Sequence, residues 1–297
     1  MQWKVPYGRM FRLLKPMTQT CAGTECSRHY PLMNGWIQRD EGLHTQDGDW
    51  FCSPACFERG MTLRLAQLPT SQRPPRTNRI PLGLLLHKRG VITTEQLNLA
   101  LDEHRSSGMK LGECLRRKYG IPESEIAGAI AAQWSCPTFP ASEIAPVWLG
   151  VLPLRLIERY RILPVRLIEP TRQLFVGCAE RVPYDVLYAI EKMLELRTEP
   201  CIISDSAFTS QLRQHSNDTV ENDIVVESLT SPAEVARMTR NYAQQLQADE
   251  VRYVLCGSYV WLRVHGRRHR MNLLYRPWGA AAILSPMDLR TTPVLNT

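Results

Sequence analysis

The chain is 297 residues long, 44% hydrophobic and 22% charged, which suits two or three compact domains and excludes a disordered or fibrous polypeptide. No apolar run approaches the roughly 20 residues of a membrane-crossing helix, and Met1-Gln-Trp-Lys-Val-Pro lacks an export-signal core, so a cytoplasmic protein without a transmembrane segment is expected. The formal charge of +7 is a mild excess, and nine cysteines, an odd number, argue against a complete disulfide framework.

Residues 1–16 form a basic arm (Lys4, Arg9, Arg12, Lys15) that fits either a short helix or a disordered segment. Residues 17–62 are cysteine-rich: Cys21-x4-Cys26, a 25-residue interval, then Cys52-x3-Cys56. Two close pairs joined by a moderate loop suit tetrahedral coordination, because each pair bites from a tight turn. Zinc is the expected ion, another metal or four unlinked thiols being the alternatives. Asp49-Trp-Phe-Cys-Ser-Pro-Ala-Cys-Phe57 reads as a strand, a turn and the start of a helix. It resembles the second half of treble-clef and zinc-ribbon modules. Four protein ligands leave no open position, so the ion is expected to be structural. His29 and His44 lie in the loop and offer replacements for one thiolate. The remaining cysteines (Cys114, Cys136, Cys178, Cys201, Cys256) sit among apolar neighbours and read as buried thiols.

Residues 63–79, containing Pro69-Thr-Ser-Gln-Arg-Pro74-Pro75, read as a linker. Beyond it, a 29-residue shift superimposes two 24-residue units, Pro81 to His104 and Lys110 to Gln133, keyed by Leu82-Gly83 and Leu111-Gly112. Each is predicted to hold a short helix, a glycine stop and a longer helix. Gly90 and Gly120 supply the stops. Thr93 or Thr94 caps the first long helix, with Leu97 and Leu101 inward; Pro122 opens the second, with Ile126 and Ile130 matching them.

This tandem pattern resembles the MshEN domain, the N-terminal domain of type II secretion and type IV pilus assembly ATPases, including the five-residue spacer Arg105 to Met109. In that family the repeat can bind cyclic di-GMP, each motif cradling half of the dinucleotide. The resemblance therefore implies nucleotide contacts at Leu82, Gly83, Leu86 and Gly90 in the first unit, and at Lys110, Leu111, Gly112, Leu115 and Gln133 in the second. The family's leading arginine is replaced by Pro81 and Lys110, its closing glutamine by His104 in the first unit, and its mid-motif glycine by Tyr119 in the second, with Gly120 one place late. A lysine keeps the charge without the planar fork that stacks on guanine. Arg79 is a candidate substitute.

Residues 153–216 alternate helix and strand: helix 153–160, strands 162–168 and 173–177, helix 182–194, strand 199–204 and helix 207–215. This α/β half is similar to the second half of the family domain, so the resemblance covers about 135 residues in the range 80–216. A polar connector at 217–230 follows. Ser231-Pro-Ala-Glu234 is a capping box that opens a helix to about Ala248. Three strand-like runs (251–256, 258–264, 269–275) complete an α/β fragment at 231–297 that resembles the region preceding the family's motor. The fold class expected is α+β and multidomain: a small zinc module, a tandem helical repeat with a small α/β subdomain, then a helix plus antiparallel strands.

No Gly-x-x-x-x-Gly-Lys-Ser/Thr occurs in these residues, nor a Gly-x-Ser-x-Gly or His-Glu-x-x-His signature, so no catalysis is expected. The leading expectation is an adaptor or regulator that docks onto secretion or pilus machinery. A cyclic di-GMP receptor is the first alternative. A zinc-dependent nucleic-acid-binding protein using Arg263, His265, Arg267, Arg268, His269, Arg270 and Arg276 is the second. The simpler reading of those basic residues is a solvated strand face.

Overall fold

The structure is a computed structural model and describes residues 18–31, 42–69, 79–144, 151–215, 223–229, 231–266 and 269–277. The basic arm at 1–16 lies outside them, as do most of the 70–79 stretch of the linker and the Arg267-Arg268 turn. The cysteine-rich segment forms four short strands, β1 (Thr18–Thr20), β2 (His29–Pro31), β3 (Leu43–Thr45) and β4 (Trp50–Phe51), followed by helix α1 (Pro54–Gln67). Ser53 caps α1 by accepting the Cys56 amide, with Pro54 at the first helical position. The helix runs four residues past the predicted start of the linker, because Leu65 still reaches the core.

The duplicated region folds as two helical hairpins, α2 (Leu82–Lys88) with α3 (Thr94–Ser107), and α4 (Leu111–Tyr119) with α5 (Glu123–Trp134). Thr93 and Gln96 form a complete capping box. Gly90 (φ +73°) and Gly120 (φ +63°) take the left-handed conformation that stops the short helices. The hairpins interlock, α2 packing on α5 and α3 on α4. Leu86, Ile92, Ala100, Cys114, Leu115 and Ala129 form their common core.

The Leu-Gly pairs have a packing reason. A Cβ on Gly83 would stand 2.5 Å from Leu97 Cδ1, and one on Gly112 would stand 3.1 Å from Ile126 Cγ2. These are the same contact in the two repeats, a short helix laid directly onto the inward apolar residue of the following long helix.

The chain then crosses β7 as an extra strand segment: Phe139 N donates to Ile202 O (2.8 Å), and Ile202 N donates to Pro137 O (2.8 Å). Helix α6 (Leu154–Tyr160) leads to β5 (Ile162–Ile168), β6 (Gln173–Cys178), α7 (Tyr184–Leu194), β7 (Arg197–Ile202) and α8 (Asp205–His215). The sheet order is β5-β6-β7, antiparallel then parallel, with α7 as the crossover. The α/β half anticipated from sequence is present, with β7 beginning two residues early.

The last elements are β8 (Asp223–Leu229), α9 (Pro232–Gln245), β9 (Ala248–Cys256), β10 (Tyr259–Gly266) and β11 (Arg270–Arg276). Here the structure departs from the sequence reading. β8 is a strand where a connector was expected, and the six-stranded sheet runs β4-β3-β9-β10-β11-β8. β3 lies parallel to β9, pairing His44 with Glu250 and Thr45 with Val251. The Gln46 side-chain amide extends that ladder, donating to Tyr253 O (2.8 Å) and accepting from Tyr253 N (2.9 Å). Phe51, Phe57, Met61 and Leu65 share one core with Val235, Val251, Leu262 and Tyr275. The cysteine-rich segment and residues 231–277 are thus one body, because strands of two or three residues bury too little alone. Two units result, Met1–Ser71 with Ile224–Thr297, and Gln72–Asp223.

Filling the helix contact tests this packing. Gly83→Val is expected to destabilise the 72–223 unit by about 1–3 kcal/mol, as overpacked cores do. The readout is the denaturant midpoint followed by far-ultraviolet circular dichroism of the full chain. An unchanged midpoint would mean that α2 does not rest on Leu97.

Candidate metal centre and nucleotide-binding cavity

The β-strand-to-helix turn after β4 presents Cys52 and Cys56, while the turn after β1 presents Cys21 and Cys26. The four Sγ atoms all lie within 4.8 Å of one another. Cys26 Sγ is 3.6 Å from Cys52 Sγ, which is 3.8 Å from Cys56 Sγ. Thiolates about 2.3 Å from a tetrahedral zinc ion stand about 3.8 Å apart, so the donor set and its spacing fit that ion. Backbone amides complete the cage: Gly23 N and Cys52 N each donate to Cys21 Sγ at 3.4 Å. Gly23 is needed for closure, since a Cβ there would meet Cys56 Cβ at 3.0 Å.

Burial, reinforced by the neighbouring thiols, pushes Cys52 up to about 12. A hydrogen bond with the Ser53 side chain chiefly draws Cys56 down to about 7. Four thiols at this spacing resist ionising together, and a divalent cation removes that penalty. Neither loop histidine joins them. His29 Nδ1 lies 3.0 Å from Thr20 Oγ1, and His44, in β3, stands in the ladder between Trp50 of β4 and Glu250 of β9. Of the scattered cysteines, Cys114, Cys178, Cys201 and Cys256 are buried, as expected, and Cys136 is half-buried.

In the 72–223 unit, a cavity of about 270 Å³ opens between α4, α5 and the carboxyl ends of β6 and β7. Five of the nine motif residues line it: Leu82, Lys110, Leu111, Gly112 and Gln133. Ile126, Ile130 and Ile203 form its apolar floor, and Glu113, Glu123, Glu180 and Asp205 are also in its wall. The other four lie elsewhere: Leu86 and Leu115 are completely buried in the helical core, Gly83 packs on Leu97, and Gly90 is at an exposed turn. The cavity is therefore built mainly by the second repeat.

Lys110 carries its charge to the wall and ion-pairs there with Glu180. Arg161, which sequence reasoning missed, pairs with both Glu180 and Asp205 and lies 4.5 Å over the Phe208 ring. Glu123 accepts hydrogen bonds from the Ser206 amide (2.9 Å) and hydroxyl at the start of α8. The Gln133 amide donates to Ile80 O at 2.7 Å. Arg79 stacks on Trp134, its guanidinium carbon 3.3 Å from the ring centroid. It therefore does not replace the missing leading arginine in the cavity, whose wall does not include it.

The basic run between Arg263 and Arg276 is not a continuous solvated face. Arg263 is 2% exposed, with Nε donating to Asn272 Oδ1 (2.8 Å) and the guanidinium 5.0 Å from the Trp261 ring centroid. Burial pushes His265 below the ordinary histidine range, outweighing the pull of Glu250. Arg276 Nε pairs with Glu227 at 2.9 Å. Among the described residues of the run, His269 and Arg270 are the exposed ones.

No family model matches the chain. It is similar to the type IV pilus assembly ATPase PilB of Myxococcus xanthus, 25% identical over 92 residues, covering 30% of this chain and 16% of the relative. It is also similar to PilB of Thermus thermophilus, 29% identical over 136 residues, covering 45% of this chain and 15% of the relative. Together with the tandem Leu-Gly unit, these matches decide the relationship. The chain carries a domain similar to the N-terminal domain of GspE/PilB-type ATPases. Among solved structures, MshE with cdg is 24% identical, covering 46% of this chain and 99% of that one, with a TM-score of 0.37. The N-terminal domain of XpsE is 20% identical, covering 48% and 97%, with a TM-score of 0.34. The chain spans only about a sixth of the length of the PilB relatives.

Proposed function

We propose that this chain is a non-enzymatic regulatory adaptor that docks onto secretion or pilus machinery through its GspE/PilB-like domain. The observation that carries this reading is how the duplicated unit is used. Gly83, Leu86 and Leu115 are given over to packing, while Ile80, Leu84 and Leu99 remain 54%, 52% and 44% exposed on the first repeat and its approach. Large apolar side chains presented on a stiff helical support suit protein contact. A cytoplasmic location accords with such partners. No helix among the described residues is long and apolar enough to cross a membrane. The tagged full chain is expected to retain secretion or pilus assembly components, identified by mass spectrometry, and Leu84→Glu with Leu99→Glu to lower that retention about tenfold. Retention of none of these components by the wild-type chain would overturn the reading.

The cysteine cluster supports a structural zinc ion in this adaptor. Metal analysis is expected to find about one zinc per chain, lost in the Cys52→Ser, Cys56→Ser variant. Because β3 joins β9, removing the ion is expected to speed amide exchange in β9 as well as around the cysteines. Zinc-free protein with unchanged exchange would exclude a structural ion.

A second reading, a cyclic di-GMP receptor, is favoured by one observation: Lys110, Leu111, Gly112 and Gln133 converge on a single cavity. Its volume falls slightly below the about 300–1,000 Å³ of most ligand pockets, which suits one half of a dinucleotide. MshE, whose solved structure contains cdg, is the relevant neighbour. Calorimetry of the full chain should show binding at micromolar concentration; absence of heat at high micromolar ligand removes this reading and leaves the adaptor.

A further inference from the structure

We propose that Glu180 is a specificity-determining residue of the α4–α5 cavity, an internal carboxylate that holds Lys110 until an anionic ligand displaces it; this rests on the cyclic di-GMP reading.

The argument starts from Lys110, which stands where the tandem motif places its leading cation. Its ammonium is engaged by Glu180, a residue of the same cavity wall that follows β6. A phosphate or guanine carbonyl seeking that ammonium must compete with a carboxylate already there. Glu180 is itself fixed, because Arg161 pairs with it and is in turn anchored by Asp205 and the Phe208 ring. Lys110 is on a long flexible stem and remains 45% exposed, so it is the partner free to swing toward a ligand.

No other cationic feature of the wall stands where the tandem motif places its leading cation. The first turn of α8 offers amides to an anion, but Glu123 accepts from the Ser206 amide and hydroxyl, and Ser204 Oγ accepts the Ala207 amide at 3.2 Å. Arg116 belongs to the wall beside Glu113, and Glu113 pairs with Arg117 one turn along α4. Lys110 is therefore held by a carboxylate of the wall, and an anionic ligand that seeks its ammonium enters by breaking that match. The Lys110–Glu180 pair is partly exposed, and such ion pairs are weakly held. Once Lys110 has moved, Glu180 still faces the ligand as a negative charge shared with Arg161.

The experiment is calorimetric titration of the full chain with cyclic di-GMP, for the wild type, Glu180→Gln, Lys110→Met and the double variant. Glu180→Gln is expected to bind about fivefold tighter than the wild type, and the double variant to lose that gain. Equal affinities of the wild type and Glu180→Gln would overturn the role of Glu180 while leaving the receptor reading standing. Binding by neither would overturn both. Should Glu180→Gln fail to fold, Glu180→Ala replaces it, and the wild type is also titrated with uncharged guanosine. Guanosine binding within tenfold of cyclic di-GMP supports a carboxylate that handicaps the anion; a larger preference for the anion overturns it.

Discussion

The pairing of His44 with Glu250 brings together two strands from opposite ends of the chain, and the 1–71 and 224–297 unit depends on it. β3 has three residues and β4 two, so neither is stable as an isolated ribbon. Their positions are over-determined instead by neighbours: the Gln46 amide on Tyr253, α1 along α9, and Arg240 of α9 paired with Glu58 of α1. The cysteine cluster sits where this edge begins, with Ala22 N bonded to Trp50 O at 2.8 Å and Cys21 bridged to Trp50. An ion held there would brace the β4–β3 edge onto which β9 is laid. The closure entropy of so long a loop grows only slowly with length, but contacts this distant in sequence form late and slow folding.

Local signals were legible and distant ones were not. Cys21, Cys26, Cys52 and Cys56 could be read because each pair is a short-range turn, and tetrahedral geometry asks only that two turns meet. The hairpins could be read because Gly90, Gly120 and Thr93 are stops and caps, chemistry that acts within one helical turn. Strand β8 was missed because Asp223-Ile-Val-Val-Glu-Ser-Leu229 follows an Asn- and Asp-rich stretch, and only β11 alongside it makes it a strand. Arg263 was misread for a related reason. A charged residue on an alternating strand is read as solvent-facing, yet the register of β10 and β11 puts Asn272 directly across from it, and the amide makes burial tolerable. Arg161, Glu123 and Glu180 carry no motif. They matter through partners that the fold brings to them.

The two repeats also show why a motif can announce a fold more clearly than a ligand. Gly83 and Gly112 are held by the same steric demand, since each must let a short helix touch Leu97 or Ile126. Leu86 and Leu115 are held by the same core and are fully buried. Neither demand involves a nucleotide. The positions that would distinguish a receptor from a scaffold are at the ends of each unit, and there the duplicates differ. Pro81 stands against Lys110, and His104 against Gln133. Lys110 and His104 keep solvent contact, and exchange of an exposed residue ordinarily changes stability by less than about 0.5 kcal/mol. Packing therefore demands the Leu-Gly spacing whether or not a ligand binds, while exchange at the ends costs the fold little. The second repeat carries a cation and an amide beside the cavity, where the first has a proline and a histidine and lends Leu82 to the wall. A ligand seated in this cavity would therefore be held asymmetrically, mainly by the second repeat and the α/β half behind it.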